Sequence, residues 1–454
     1  MSASPLLMRG GAAGAFAPFV LFVTGVGGLA LAGAPDERGF WPVLLAALAL
    51  GLALARDRSH YADAALAGMA RPIVLLMVVA WLLAGVLSTL LGAGGLVEAL
   101  VWLTARLGLS GGGYTGAAFV VAATVATSTG TSFGTILICG PLLYPAGGAA
   151  GASPAMLAAA LLGGATFGDS ISPISDTTIA SSGTQQADIG GTVRARLKYV
   201  VPAGLAALAA FILLGGGPAG ATVPAPVAAD PRGWPLGIVP VLIIGMLLAR
   251  RHLVESLMAG IVAAVAIGLA FGLIGPADLL RVEPGSYAAK SLIIDGLERG
   301  VGVSIFTLLL MGLVAGLEAS GALDRLLGLA RDGGSVRAVE TRLVALVMAA
   351  ALVTTHSVVA ILAVGEYARR AGAAAGIDRY RRANLLDLAV CTWPFLLPYF
   401  LPAILMSGAT AAGEAAGMPR VSALDAGLLN FYSWGLLVML GVAIVTGYGR
   451  RSED

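Results

Sequence analysis

The sequence predicts an all-α polytopic membrane protein, and three observations carry that reading. Of 454 residues, 58% are hydrophobic and only 11% charged, whereas a soluble domain carries roughly 25% charged residues. The chain therefore lacks the charge to cover a water-facing surface. Apolar runs recur from end to end, among them Phe16 to Ala34, Pro72 to Gly92, Tyr199 to Gly215 and Leu253 to Ile274. Each approaches the ~20 residues that a helix needs to cross a bilayer. The 64 glycines, with many alanines, fit membrane helices whose backbones approach closely.

The first apolar run is followed by many others, with no small-residue cleavage site after it, so it reads as a retained span and not a signal peptide. The net charge of +2 is silent about partners. The lipid bilayer is the expected surrounding, and no nucleic-acid partner or cofactor is expected. Cys139 and Cys391 lie in apolar stretches and read as packing residues. No disulfide framework or metal-ligand cluster stands out.

Straightforward spans fall near 13–34, 40–55, 72–92, 199–216, 234–249, 253–274, 301–318 and 424–447. Four stretches, 114–147, 155–183, 343–368 and 383–411, are apolar but interrupted by polar residues, Gly or Pro, and form one adjacent pair in each half. The halves resemble each other. "WLLAGVLSTLLGAGGLVEALVWL" at 81–103 is similar to "LLMGLVAGLEASGALDRLLGL" at 309–329. Each leads through an apolar arm to a hydroxyl cluster (Thr127 to Ser132; Thr354 to Ser357), then to an aspartate ahead of a proline (Asp169 and Pro173; Asp387 and Pro394). Repeats with interrupted segments in matching places point to a secondary transporter and its binding site.

Charge orients the spans. With 114–147 and 343–368 as re-entrant hairpins and 155–183 and 383–411 as crossings, there are ten crossings, five per half, and the repeats are inverted. One side then receives 20 Lys/Arg and the other seven; if both hairpins crossed, the split would be 15 to 12. The positive-inside rule favours the first arrangement, with both termini cytoplasmic and the protein in the cell inner membrane. Residues 343–368 also fit one tilted crossing. The expected organisation is a first repeat over 1–216, with scaffold spans in 13–92, hairpin 114–147, broken helix 155–183 and span 199–216. A Pro/Gly/Ala-rich linker over 217–233 precedes a second repeat over 234–454, with scaffold spans in 234–318, hairpin 343–368, broken helix 383–411 and span 424–447. Residues 93–108 and 319–332 read as amphipathic arms along the interface.

The strongest chemical signal is "GDSISPISDTTIASS" at 168–182. Asp169 and Asp176 sit among the hydroxyls of Ser172, Ser175, Thr177 and Thr178 in an otherwise apolar span, and an ionisable residue at bilayer depth is a functional hypothesis by default. The 14 apolar residues from Ala155 to Gly168 place Asp169 near mid-membrane by helical rise. The bland alternative is a capped helix end at the membrane surface. Pro173 cannot donate to the carbonyl of Asp169, so this break offers backbone, carboxylate and hydroxyl oxygens together, which suits a hard cation such as sodium.

"TSTGTSFGT" at 127–135 supplies a second oxygen cluster, with Thr129, Thr131 and Ser132 at a tip that Gly130 and Gly134 permit. Its alternative is ordinary backbone bonding by Ser and Thr. In the second half, Asn384 and Asp387 precede Pro394, which frees the Val390 carbonyl. Asp387 reads either as a site acid or as a near-surface partner of Arg381 or Arg382. Thr355 and His356 lie at the second tip, His356 as a proton carrier or a hydrogen-bonded structural residue. His60 and His252 lie in charged loops.

"TGTSFGT" at 129–135 followed by "GDSISPISDTT" at 168–178 resembles the signature pair of the NhaC-type Na+/H+ antiporters. The family pattern runs through roughly 10–447 and is sharp at 127–182. The resemblance implies two inverted repeats, each with a re-entrant hairpin and a broken helix, a transport domain moving against a scaffold, and a homodimer. Two departures stand out. Phe133 replaces the family's usual Trp, and "NLLDLAVCTWP" carries Leu386 where relatives have Glu, one acid fewer, which bears on stoichiometry and substrate.

The leading expectation is sodium/proton antiport by alternating access, with Na+ and H+ as transported ions held by a carboxylate–hydroxyl site. Asp169, Asp176 and Thr129 are the expected sodium ligands. A carboxylate removed from water favours its neutral form, so protons compete with sodium. A second reading is a sodium- or proton-coupled carrier of a small organic acid or amino acid, for which few fixed cations lie near the centre. A third is an intramembrane aspartyl protease, suggested by Phe167-Gly168-Asp169. It has Thr166 where that motif has Gly and no Tyr-Asp partner, and no enzyme activity is expected.

Overall fold

The structure, a computed structural model, describes residues 6–32, 37–109, 111–173, 175–217, 229–249, 251–283, 288–322, 325 and 334–450. It is built almost wholly of helices. The first half holds α1 (Gly11–Leu31), α2 (Trp41–Leu54), α3 (Arg58–Met69), α4 (Pro72–Ala93), α5 (Leu96–Arg106), α6 (Gly111–Thr129), α7 (Ser132–Leu143), α8 (Pro154–Ile171), α9 (Asp176–Thr184) and α10 (Ile189–Leu214). The second half holds α11 (Ile238–Leu248), α12 (Leu253–Ala270), α13 (Pro276–Leu279), α14 (Leu292–Ala319), α15 (Val336–Thr354), α16 (Ser357–Ala374), α17 (Arg379–Val390), α18 (Leu401–Thr410), α19 (Ala423–Leu428) and α20 (Phe431–Thr446).

Among the described residues, six helical stretches are long and apolar enough to cross a membrane, α8 and α9 counting as one through their break. A seventh is added if α17 and α18, bent by 47° at theirs, form one span. The expected spans near 40–55, 234–249 and 424–447 appear as shorter apolar helices. Leu205 and Leu213 on α10, Val262 on α12 and Val438 on α20 are exposed, as helices that face hydrocarbon require. The chain is a multi-pass membrane protein. By contrast α8 and α17 are buried on nearly every side, polar residues included.

The two halves make matching contacts. Both arms of the first helical hairpin, α6 and α7, pack on α8, and both arms of the second, α15 and α16, pack on α17. Each broken helix then crosses to the other half: α9 packs on α16 and α17, and α18 packs on α7 and α8. The same exchange relates α2 with α14 to α12 with α4, and α10 with α17 to α20 with α8. Helices α4 and α14 pack against each other, as do α10 and α20.

Several local expectations change. Residues 58–69, expected in a charged loop with His60, form α3, capped by the Asp57 side chain and packed on α14. Residues 281–283 and 288–290 pair as a small antiparallel ribbon, β1 and β2. The cationic run Arg194, Arg196, Lys198 lies inside α10, because Asp188 caps that helix by accepting from the Gly191 N–H at 2.9 Å. The expected linker over 217–233 and the arm over 319–332 fall mainly outside the described residues.

Close approach of α8 to α6 positions the centre. A Cβ at Gly168 would lie 2.1 Å from the Ala123 carbonyl oxygen and 2.8 Å from the Thr127 nitrogen, and one at Gly164 would lie 2.3 Å from the Phe119 oxygen. Only glycine lets the two backbones touch here, one residue before Asp169. Gly168→Val should push the helices apart at a cost on the order of 1–3 kcal/mol or more, lowering the detergent melting temperature while Gly113→Val, where nothing lies within 4 Å of the added carbon, does not. Equal melting temperatures for the two variants would contradict this packing.

Candidate ion-binding site

Two hairpin tips are built alike. Helix α6 ends at Thr129; Gly130 turns left-handed at φ +69°; Thr131 follows at φ −149°, ψ 122° and caps α7 by accepting from the Gly134 N–H at 3.3 Å. Helix α15 ends at Thr354; Thr355 turns left-handed at φ +54°; His356 follows at φ −138°, ψ 119° and opens α16. Glycine accepts the turn freely, but a β-branched threonine there costs about 1–2 kcal/mol. Such strain persists where surrounding structure holds it, commonly at functional sites. The tips meet, with the rings of Phe133 and His356 stacked at 6.4 Å and 20°.

The broken helix of the first half supplies the acids. Asp169 is buried near the end of α8. The Pro173 break does not leave its carbonyl free, because the Ser172 N–H donates to it at 3.2 Å in a tightened last turn. Asp176 opens α9, where the helix dipole favours negative charge, and its Oδ1 accepts from the Thr177 N–H at 2.8 Å. The hydroxyls of Ser175 and Thr177 are 2.9 Å apart.

These parts converge on one cavity of about 20 Å³ lined by Thr131, Ser132, Asp169, Asp176, Thr177 and His356, with Phe133, Cys391 and Phe395 in its walls. That volume admits about one water molecule or a cation of similar size. Asp169 Oδ1 and His356 Nδ1 are buried without a hydrogen-bond partner, and the Ser132 and Ser175 side chains lie beside Asp169. Among the described residues, no Lys or Arg lines the cavity. Two carboxylates with hydroxyl oxygens fit a hard monovalent cation.

The remaining expected residues lie elsewhere. The Thr129 hydroxyl donates to the Val125 carbonyl at 2.9 Å and stays out of the lining, an outcome of the helical back-bonding that threonine favours. Ser172 at the first break and Thr355 at the second tip are buried and also outside the lining; the Thr355 hydroxyl donates to the Thr354 carbonyl at 2.7 Å. Asn384 is engaged at both ends of its amide: Oδ1 accepts from Arg196 Nε at 2.8 Å, and Nδ2 donates to the Thr192 carbonyl at 3.1 Å.

Asp387 is fully buried and is not a near-surface partner of Arg381 or Arg382. Its Oδ2 pairs with Arg196 Nη2 and accepts from the Ser181 hydroxyl at 3.1 Å. Arg381 instead grips the buried Glu340 through Nε at 2.9 Å and Nη2 at 3.2 Å. Arg382 Nε donates to Gln185 Oε1 at 3.2 Å. Arg196 is thus a fixed cation beside the site that the sequence reading put in a loop. The helix-start signal of Asp188 ahead of an apolar-periodic stretch placed it two turns inside α10.

Both signature motifs, at 127–135 and 168–178, bear on this cavity, and both fall within a match to a known family. Residues 40–215 match the Na+/H+ antiporter family. The chain is also similar to the Na+/H+ antiporter NhaC of Alkalihalophilus pseudofirmus, at 26% identity over 273 residues, 56% of each chain. It is similar to the malate-2H+/Na+-lactate antiporter of Bacillus subtilis, at 30% over 30% of this chain and 26% of that one. A third relative is the arginine/ornithine antiporter ArcD of Halobacterium salinarum, at 35% over 20% of this chain and 19% of that one. The chain spans about half the length of NhaC and less of the others. The resemblance to NhaC-type antiporters read from the motifs is borne out.

The lining separates two hydroxyls of the same tip. Ser132→Ala removes a neutral oxygen beside Asp169 and should weaken apparent sodium affinity about three- to tenfold, the scale of one lost polar contact, with little change in maximal rate. Thr129→Val should leave that affinity within about twofold, since its hydroxyl serves the backbone. Initial-rate measurements over a sodium series compare them; a larger affinity loss in Thr129→Val would reverse the assignment.

Proposed function

We propose that the protein is a secondary active transporter exchanging Na+ for H+ across the membrane, and that Asp169 and Asp176 hold either ion in the cavity between the hairpin tips. The observation that carries this reading is an ion-sized cavity bounded, among the described residues, by two carboxylates and no Lys or Arg, where the exchanged contacts between the halves meet. Sodium would be held by the carboxylates with Ser132, Thr131 and Thr177 as neutral oxygen donors. Protonation neutralises the same groups, so the two occupants exclude each other. A site that is charge-compensated in either loaded state can cross, whereas empty carboxylates resist desolvation.

The matching contacts of α6–α9 with α15–α18 support two inverted repeats, each with a hairpin and a broken helix, and ten crossings once the shorter apolar helices are counted. The repeats would run over 1–216 and 234–454. Removing buried Arg196, Arg381 and Arg382 from the loop count leaves 17 positive residues against seven, which still supports cytoplasmic termini in an inner membrane. Alternating access would move the hairpins and broken helices against α4 and α14, within a homodimer as the resemblance implies.

The names of two relatives raise exchange of organic acids or amino acids. A cavity of about 20 Å³ is far below the roughly 300 Å³ or more of ordinary small-molecule sites, and the buried cation that bridges the first break, Arg196, is already paired with Asp387. Both favour bare ions.

Purified protein in liposomes, given an imposed sodium gradient with internal pH read by a dye, should show sodium-driven proton movement that malate, lactate or arginine does not replace. Asp169→Asn and Asp176→Asn should each cut that flux about tenfold or more, as loss of a charged ligand does, while still reaching the membrane. Flux by the native protein that needs an organic substrate, or normal exchange by both variants, would refute the reading.

A further inference from the structure

Arg196 makes four sets of contacts from one fully buried side chain. Its Nη1 donates to the Ser170 carbonyl at 2.9 Å and to the Thr178 hydroxyl at 2.8 Å, its Nε donates to Asn384 Oδ1 at 2.8 Å, and its Nη2 pairs with Asp387 Oδ2. Ser170 is the residue after Asp169 at the end of α8. Thr178 lies two residues after Asp176 in the first turn of α9. Asn384 and Asp387 lie on α17 of the other half. One guanidinium thus spans both sides of the first break and ties them to the second broken helix, with its planar fork used in the way a lysine cannot reproduce.

We infer that Arg196 is the positioning residue of the ion site and that the Arg196–Asp387 pair is a neutral internal clasp, held together through the transport cycle, rather than a part of the exchanging machinery. The pair's position explains why one acid of the second half can be buried without lining the cavity. Arg196 meets the charge of Asp387, leaving Asp169 and Asp176 as the acids that line the cavity. The clasp sets the distance between them through Ser170 and Thr178. This inference rests on the proposed antiport only for its flux readout.

The test is a mutant cycle on the full chain in liposomes, with melting temperature in detergent measured alongside. Arg196→Gln strands a buried carboxylate and Asp387→Asn strands a buried guanidinium. Each should lower the melting temperature and cut maximal flux at least tenfold. The double variant removes both charges and keeps amide groups able to bond each other. It should regain most of the melting temperature lost by either single variant, while maximal flux stays at or below that of Arg196→Lys, because glutamine cannot reach Ser170, Thr178 and Asn384 together. Arg196→Lys keeps the charge but loses the fork, and should fold with a lower maximal rate. A double variant no more stable than the single variants overturns the clasp, and native flux in Arg196→Lys or in the double variant overturns the positioning role. Absence of sodium-driven flux in the native protein would instead count against antiport, and the recovery of melting temperature alone would then decide the clasp.

Discussion

A carboxylate inside a membrane protein must be met by charge, hydrogen bonds or a bound cation, because lipid supplies none of these. Asp387 and Asp169 differ in how their charge is met. Asp387 is met by Arg196 and by the Ser181 hydroxyl. Asp169 and Asp387 each keep Oδ1 buried without a hydrogen-bond partner among the described residues, but Asp169 lines a cavity large enough for an ion, with no Lys or Arg among its described lining residues. A structural acid has its charge met from within by a cation, and a site acid is left to have its charge met by the cargo. Glu340, gripped by Arg381 and Arg450, belongs with Asp387.

The fold can be understood as what this arrangement requires. Breaking a helix in the middle of a membrane exposes backbone groups that only neighbouring protein can satisfy. Both breaks are therefore wrapped by hairpin arms, and α8 and α17 are buried on nearly every side. Glycine at 168 brings α8 onto α6 at backbone contact, which carries Asp169 to the Ser132 side of the first tip. The second tip turns on Thr355 instead of glycine and delivers His356 to the far wall. The difference between the tips, Thr131 against His356, makes the cavity chemically lopsided even though the contacts around it are paired.

Much of this was legible in residue order. Long apolar runs marked the spans, and the TSTG and TTHS clusters marked the tips. Asp169, Asp176, Thr131, Ser132, Thr177 and His356 stand out in the sequence as polar residues in apolar stretches, and they share one cavity. What was not legible depended on distant pairing. Arg196 and Asp387 are far apart in the chain, and a cationic run ahead of an apolar stretch reads as a loop until Asp188 is recognised as a cap. The individual hydroxyls were equally opaque, since Thr129 and Thr131 look equivalent in sequence while one bonds its own helix and the other lines the cavity. Helix α3 has too little hydrophobicity to announce itself; its packing on α14 makes it a helix.

The central claim is that sodium and protons compete for the same two carboxylates. Proton release on sodium binding tests this without transport: purified protein in weakly buffered detergent solution is mixed with sodium chloride, and pH is followed by a dye. Native protein should release protons in a saturable way, with choline chloride giving none, and Asp169→Asn with Asp176→Asn should abolish the release. Saturable sodium binding with no proton release from the native protein, or release that survives in the double variant, would contradict the account.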